Sequence, residues 1–279
     1  MEPPFPPFDP DGSARKSDEA KGTVKATRLR DIPLRKIFPN LLTLFAICSG
    51  LTAIRFAIEG RMEFAIAAII LAAFLDGIDG RVARFLKTTS RFGAEMDSLA
   101  DFVNFGVAPA LILYFTQLSE IRSIGWIAAL LYAICACLRL ARFNVMLDTP
   151  NAPKWHNKYF TGVPAPAAAM IVLIPIYIAL LGVELTQVTA WIVAAYTVGI
   201  GLLMVSNLPT FSGKDFTKSI RRDLVLPLMI LAVALAGMLF TYPWWTLLAI
   251  SIGYLALIPF SIANWQKDSA SETSPKTKK

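Results

Sequence analysis

LDGIDGRVARFLKTTSRFGAEMDSLADF, residues 75–102, sets four carboxylates, Asp76, Asp79, Asp97 and Asp101, in the middle of a chain that is otherwise largely compatible with hydrocarbon. Apolar runs flank it, 64–75 before and 107–115 after. A carboxylate inside a membrane span costs about 2.5–3.5 kcal/mol on insertion scales, so four of them require a compensating group. Spacing suggests which one. On helices, Asp76 and Asp79 are three residues apart and Asp97 and Asp101 four apart, so each pair projects from one face. Two such faces turned together form an oxygen-rich pocket suited to hard divalent cations such as Mg2+ or Mn2+. Gly80, Ala83 and Gly93 leave room for a bulky ligand near the backbone, and Arg84 is placed for a phosphate.

Buried ion pairs or a cation pathway are the other readings of such a cluster. The neighbouring basic residues are Arg81, Arg84, Lys87 and Arg91, the last two in a predicted loop, so pairing accounts poorly for four acids. Intramembrane ionisable groups favour function.

The rest of the chain fixes the setting. Over 279 residues, 55% are hydrophobic and 17% charged, and mean hydropathy is +0.55, which describes an integral membrane protein. Cys48, Cys135 and Cys137 fall in apolar runs without disulfide or metal spacing. Eight spans are predicted, at 40–58, 63–85, 94–116, 124–145, 163–181, 189–206, 224–241 and 244–265. The fold class is therefore all-α and polytopic. Every Lys and Arg except Arg55, Arg61 and Arg122 then falls on one side, so both termini and the aspartates are expected to face the cytoplasm. Trp126, Trp191, Trp244 and Trp245 mark the opposite interface. The proline- and charge-rich tail 1–37 has no signal-peptide pattern; it is expected to be partly disordered, with an amphipathic segment near its end suited to an anionic membrane surface. A second tail, 266–279, carries no recognisable chemistry.

Two divalent ions near headgroup level suit phosphoryl transfer, with a carboxylate taking the proton from the attacking oxygen. Nucleophilic Ser-His or Cys-His arrangements are not evident. The single histidine, His156, lies in a predicted loop with nothing to complete a constellation, so direct attack by an acceptor is favoured. Arg139 and Arg142, in LRLARFN, are three apart on one helix face at the cytoplasmic end of span four. They suit snorkelling anchors, and equally a fork for a carboxylate or phosphate.

The order Asp76-x2-Asp79-Gly80-x2-Ala83-Arg84-x8-Gly93-x3-Asp97-x3-Asp101 resembles the signature of the CDP-alcohol phosphotransferase family. SRFGAEMDSLADFVNFGVAPA, LRLARFN and TGVPAPAAA resemble the branch whose acceptor is L-serine, and PNLLTL at 39–44 resembles the family's first span. This resemblance implies a six-helix catalytic core at 38–222 with two added helices at 223–265, in a bacterial cytoplasmic membrane. It implies two Mg2+ or Mn2+ ions on Asp76, Asp79, Asp97 and Asp101, with Asp101 also the general base. Gly80, Ala83, Arg84 and Gly93 would line the CDP-lipid site, with Asn40 and Thr43 beside them. Arg139, Arg142 and Asn144 would take the acceptor carboxylate or a phosphate, and Lys214 a phosphate. CDP-diacylglycerol and L-serine would be the substrates, CMP the leaving group, and a homodimer the assembly; nucleic acid is not implied. Glycerol 3-phosphate, inositol phosphate or choline as acceptor, and divalent-cation transport, remain the alternatives.

Overall fold

A computed structural model describes residues 34–147, 159–184, 186–211 and 222–273. His156, Lys214, most of the N-terminal tail and the end of the C-terminal tail lie outside them. Ten α-helices carry the described fold: α1 (Leu34–Ile58), α2 (Met62–Phe85), α3 (Arg91–Asp101), α4 (Ala108–Thr116), α5 (Arg122–Leu147), α6 (Ala165–Val172), α7 (Ile174–Leu180), α8 (Gln187–Val205), α9 (Arg222–Thr241) and α10 (Pro243–Thr273). A π-helical segment, Phe102–Val107, joins α3 to α4, and a 3-10 turn, Leu118–Ile121, precedes α5. The only strands among the described residues are β1 (Tyr159–Thr161) and β2 (Pro209–Phe211). They form a three-pair antiparallel ladder that ties two connections together.

Among the described residues, five stretches are long and apolar enough to cross a membrane: Ile37–Ile58, Arg91–Thr116, Leu118–Met146, Gln187–Val205 and Pro243–Ser261. The other three predicted spans differ for separate reasons. Helix α2 has the length, at 24 residues, but carries Glu63, Asp76, Asp79, Arg81 and Arg84. Ala165–Leu180 is shorter and broken at Leu173, and Val225–Thr241 is also short.

Helices α1 and α2 form an antiparallel hairpin closed at Gly60, whose φ of +75° suits glycine. Ala46, Ala53 and Ala57 on α1 and Ala65, Ala68, Ile69 and Ala72 on α2 are buried, and the Ser49 hydroxyl donates to Ala68 O at 2.7 Å. Small side chains at these positions allow the close backbone approach that holds helices together where lipid is as apolar as the interface. Helix α5 packs on α8 and on the π segment, while α10 lies against α6, α7 and β2. Helix α9 leans on α10 and shows Leu226, Met229, Val233 and Phe240 outward, the apolar surface that a bilayer solvates.

Two interruptions of the helices have local causes and distant remedies. Pro109 has no N–H to offer Phe105 O four residues earlier; the buried Tyr132 hydroxyl donates to that carbonyl at 3.1 Å. Pro175 likewise leaves Ile171 O, which accepts the Tyr196 hydroxyl at 2.6 Å. At Gly162, φ is +78° and a β-carbon would collide with Met204 O, so glycine is required where α6 meets the ladder.

Candidate metal and phosphate site

Helix α1 organises the site by reaching both acid-bearing helices. On one side the Thr43 hydroxyl lies 2.6 Å from Asp79 Oδ2 of α2. On the other, a β-carbon at Gly93 of α3 would sit 3.2 Å from Asn40 Oδ1 and 3.2 Å from Ser90 Oγ, so these side chains line the start of α3. Ser90 caps that helix, its hydroxyl accepting from Gly93 N at 3.0 Å. Gly93 therefore fits where a larger residue would press on Asn40.

The predicted faces do turn together. One carboxylate oxygen each from Asp76, Asp79 and Asp97 lies within 4.8 Å of the others. Asp101 joins them through Asp76, whose carboxyl is within hydrogen-bonding reach of its own. Asp79 is only 3% exposed. Oδ1 of Asp76, Asp79 and Asp101 are all buried and accept no hydrogen bond among the described residues. The ion pairs found there, Arg55 with Glu59 and Arg61 with Glu59, lie at the far end of the hairpin. Such a set of buried oxygens without hydrogen-bond partners fits divalent cations, whose charge would balance more of the four acids than a single arginine can.

Beside the acids there is space. No atom outside the helix backbone lies within 4 Å of a β-carbon built on Gly80, while Arg81 and Arg84 are exposed with no side-chain partner among the described residues. Ala83 completes this face of α2. Opposite, Arg139 of α5 is half-buried, its Nε without a hydrogen bond among the described residues and its charge directed at Asp101. Tyr254 of α10 is also in electrostatic reach of Arg139, so the C-terminal hairpin contributes to this wall.

The other predicted acceptor residues are engaged within the protein. Arg142 donates to Val205 O at 3.1 Å, Ser206 O at 3.3 Å and Asn207 Oδ1 at 2.8 Å, covering carbonyls left open at the end of α8. Asn144 bonds Ser98 of α3 at 3.0 Å, one residue from Asp97.

Sequence reasoning passed over Ser98, Asn104, Tyr132 and Tyr254. Asn104 is fully buried at the π segment with its side chain against Gly50, and a lone amide in the apolar run FVNFGV was the available signal. Tyr132 and Tyr254 resemble ordinary apolar-span residues until their neighbours are known.

Comparison with known proteins gives a consistent result. The family model described as CDP-alcohol phosphatidyltransferase matches residues 36–200, and that of CDP-alcohol phosphatidyltransferase 2 matches residues 223–259. A CDP-diacylglycerol–serine O-phosphatidyltransferase of Mycobacterium leprae is 42% identical over 234 residues, covering 82% of this chain and 75% of the relative. One from Helicobacter pylori is 35% identical over 231 residues, covering 82% and 91%. An archaetidylserine synthase of Methanothermobacter thermautotrophicus is 37% identical over 139 residues, covering 48% and 55%.

Proposed function

The chain belongs to the CDP-alcohol phosphatidyltransferase family, and from that premise we propose that it is a phosphatidylserine synthase, which moves the phosphatidyl group of CDP-diacylglycerol to L-serine and releases CMP. The observation that carries this reading is the cluster of four aspartates with three bare, buried oxygens beside the open face of Gly80.

Asp76, Asp79, Asp97 and Asp101 would hold two divalent ions, Mg2+ or Mn2+. When bound, these ions neutralise and orient the diphosphate oxygens. The open face at Gly80 and Ala83 admits the nucleotide end of the lipid, with Arg84 near its phosphates and Asn40, Thr43 and Gly93 closing the opposite side. Asp101 accepts the serine hydroxyl proton as that oxygen attacks the lipid-side phosphorus; the bond from this phosphorus to the CMP oxygen breaks and CMP departs. Arg139, aimed at Asp101 and lacking a partner for Nε, is assigned to the serine carboxylate, bringing the hydroxyl near its base. Arg142 and Asn144 then act on this wall by fixing α5 to α8 and α3, and Lys214 is a further phosphate contact.

The excess of Lys and Arg at one end of the helices supports a cytoplasmic site and cytoplasmic termini. The catalytic core is assigned to 38–222, with 223–265 as an added hairpin, and the working assembly is a homodimer in the bacterial inner membrane.

The test is CMP release by purified protein in detergent with CDP-diacylglycerol and Mn2+ or Mg2+. L-serine alone among serine, glycerol 3-phosphate, inositol phosphate and choline should support release. Release with another acceptor would overturn the serine assignment, and metal-replete protein that releases no CMP with any of them would overturn the transferase reading.

A further inference from the structure

Among the acids, Asp79 is the most enclosed, and its two oxygens differ. Oδ2 receives the hydroxyl of Thr43, while Oδ1 is buried and accepts nothing among the described residues. Thr43 is 4% exposed and sits on α1, a helix that carries none of the four aspartates. Its hydroxyl has one hydrogen and two acceptors in range, Asp79 Oδ2 at 2.6 Å and Pro39 O at 3.2 Å. The shorter separation, and the charge on the acceptor, put that hydrogen on the carboxylate. A helical threonine has two favoured χ1 rotamers, and the one adopted here sets Oγ1 within reach of both Asp79 Oδ2 and Pro39 O.

We propose that Thr43 is a positioning residue: by engaging Oδ2 it turns Asp79 so that Oδ1 faces a divalent cation of the Mg2+ or Mn2+ class. The proposal rests on the metal-binding reading of the acid cluster and gives Thr43 a role distinct from contact with the CDP-lipid. Outer hydrogen bonds of this kind fix ligand orientation, and their loss typically weakens metal affinity about 10- to 100-fold. Removing the hydroxyl takes from the Asp79 carboxylate its side-chain donor, leaving the backbone N–H of Gly80 in reach, and loosens its hold on the last torsion. Because the donor comes from α1, the hairpin between α1 and α2 becomes part of the metal site.

The experiment is titration of Mn2+ alone into full-length protein in detergent, followed by calorimetry, without lipid or serine. Thr43→Val should bind Mn2+ about 10- to 100-fold more weakly than the unsubstituted protein, whereas Thr43→Ser, which keeps the donor, should stay close to it. In turnover, Thr43→Val should raise the Mn2+ concentration for half-maximal rate, and Thr43→Ser should not. Should the valine variant fail to fold, Thr43→Ala removes the same hydroxyl. Unchanged Mn2+ affinity in the hydroxyl-free variants would overturn the proposal. So would a raised CDP-lipid KM with intact metal binding, or a serine variant as impaired as the valine one. Unsubstituted protein that takes up no Mn2+ would bring down the metal-site reading itself.

Discussion

Neutralising one member of the acid cluster should stabilise the metal-free protein while removing its function. The oxygens of Asp76, Asp79 and Asp97 lie within 4.8 Å of one another, so at an effective dielectric constant of about 20 each ionised pair repels by about 3.5 kcal/mol. Asp97→Asn removes two such pairs and changes the side-chain shape little. Proton uptake and water already relieve part of that repulsion, so the expected net gain is about 1–3 kcal/mol in the metal-free state. With metal the sign reverses. A ligand at a hundred times its Kd stabilises the protein it binds by about 2.7 kcal/mol, and the variant forfeits most of that. The assay is thermal unfolding in detergent with EDTA and then with excess Mn2+. The variant should unfold at a higher temperature than the unsubstituted protein in EDTA, show a smaller rise with Mn2+, and release no CMP. A variant less stable in EDTA would refute the argument, because the four acids would then be held by partners within the protein.

Asp101→Asn should lower CMP release by about 10²- to 10⁴-fold while CDP-diacylglycerol still binds; undiminished turnover would remove Asp101 as the base. Arg139→Gln should raise the KM for serine and leave that for the CDP-lipid unchanged, whereas Arg142→Ala, which strips the end of α8 of its donor, should chiefly lower thermal stability. The opposite allocation in steady-state kinetics would exchange their roles. Tyr196→Phe should cost about 1 kcal/mol by leaving Ile171 O with its backbone donor alone, and less in a Pro175→Ala background where a further N–H returns. Equal costs in both backgrounds, measured by unfolding in detergent, would show that this carbonyl is satisfied in another way.

The site was legible because its parts are local. Asp76 with Asp79, and Asp97 with Asp101, share faces through helix geometry alone, and Gly80 marks open space through its missing side chain. What escaped was tertiary. Arg139 and Arg142 look equivalent three residues apart in LRLARFN, yet one is aimed at Asp101 and the other bonds the end of α8. No property of either side chain distinguishes them, because the difference lies in residues far away in the sequence, Asp101 for one and Val205 to Asn207 for the other. Thr43 was noticed for its place in PNLLTL, but its bond to Asp79 follows only once the α1–α2 hairpin fixes which turns face one another. The interruptions at Pro109 and Pro175 went unread in the sequence, and the tyrosines that make them tolerable lie on other helices.

Those two pairs also set an order of assembly. In each, the acceptor carbonyl is synthesised first and its donor follows on a later span, 27 residues on for Phe105 and Tyr132 and 25 for Ile171 and Tyr196. A span released alone into lipid would lack the hydroxyl that completes the bonding of these carbonyls. The stretch carrying Pro109 is therefore best delivered to the bilayer together with α5, and the one carrying Pro175 together with α8, as helical hairpins rather than single spans. In both places the gap left by a proline is closed from a neighbouring helix, and the turn that follows Asp101 gains its Tyr132 donor only when α5 has docked.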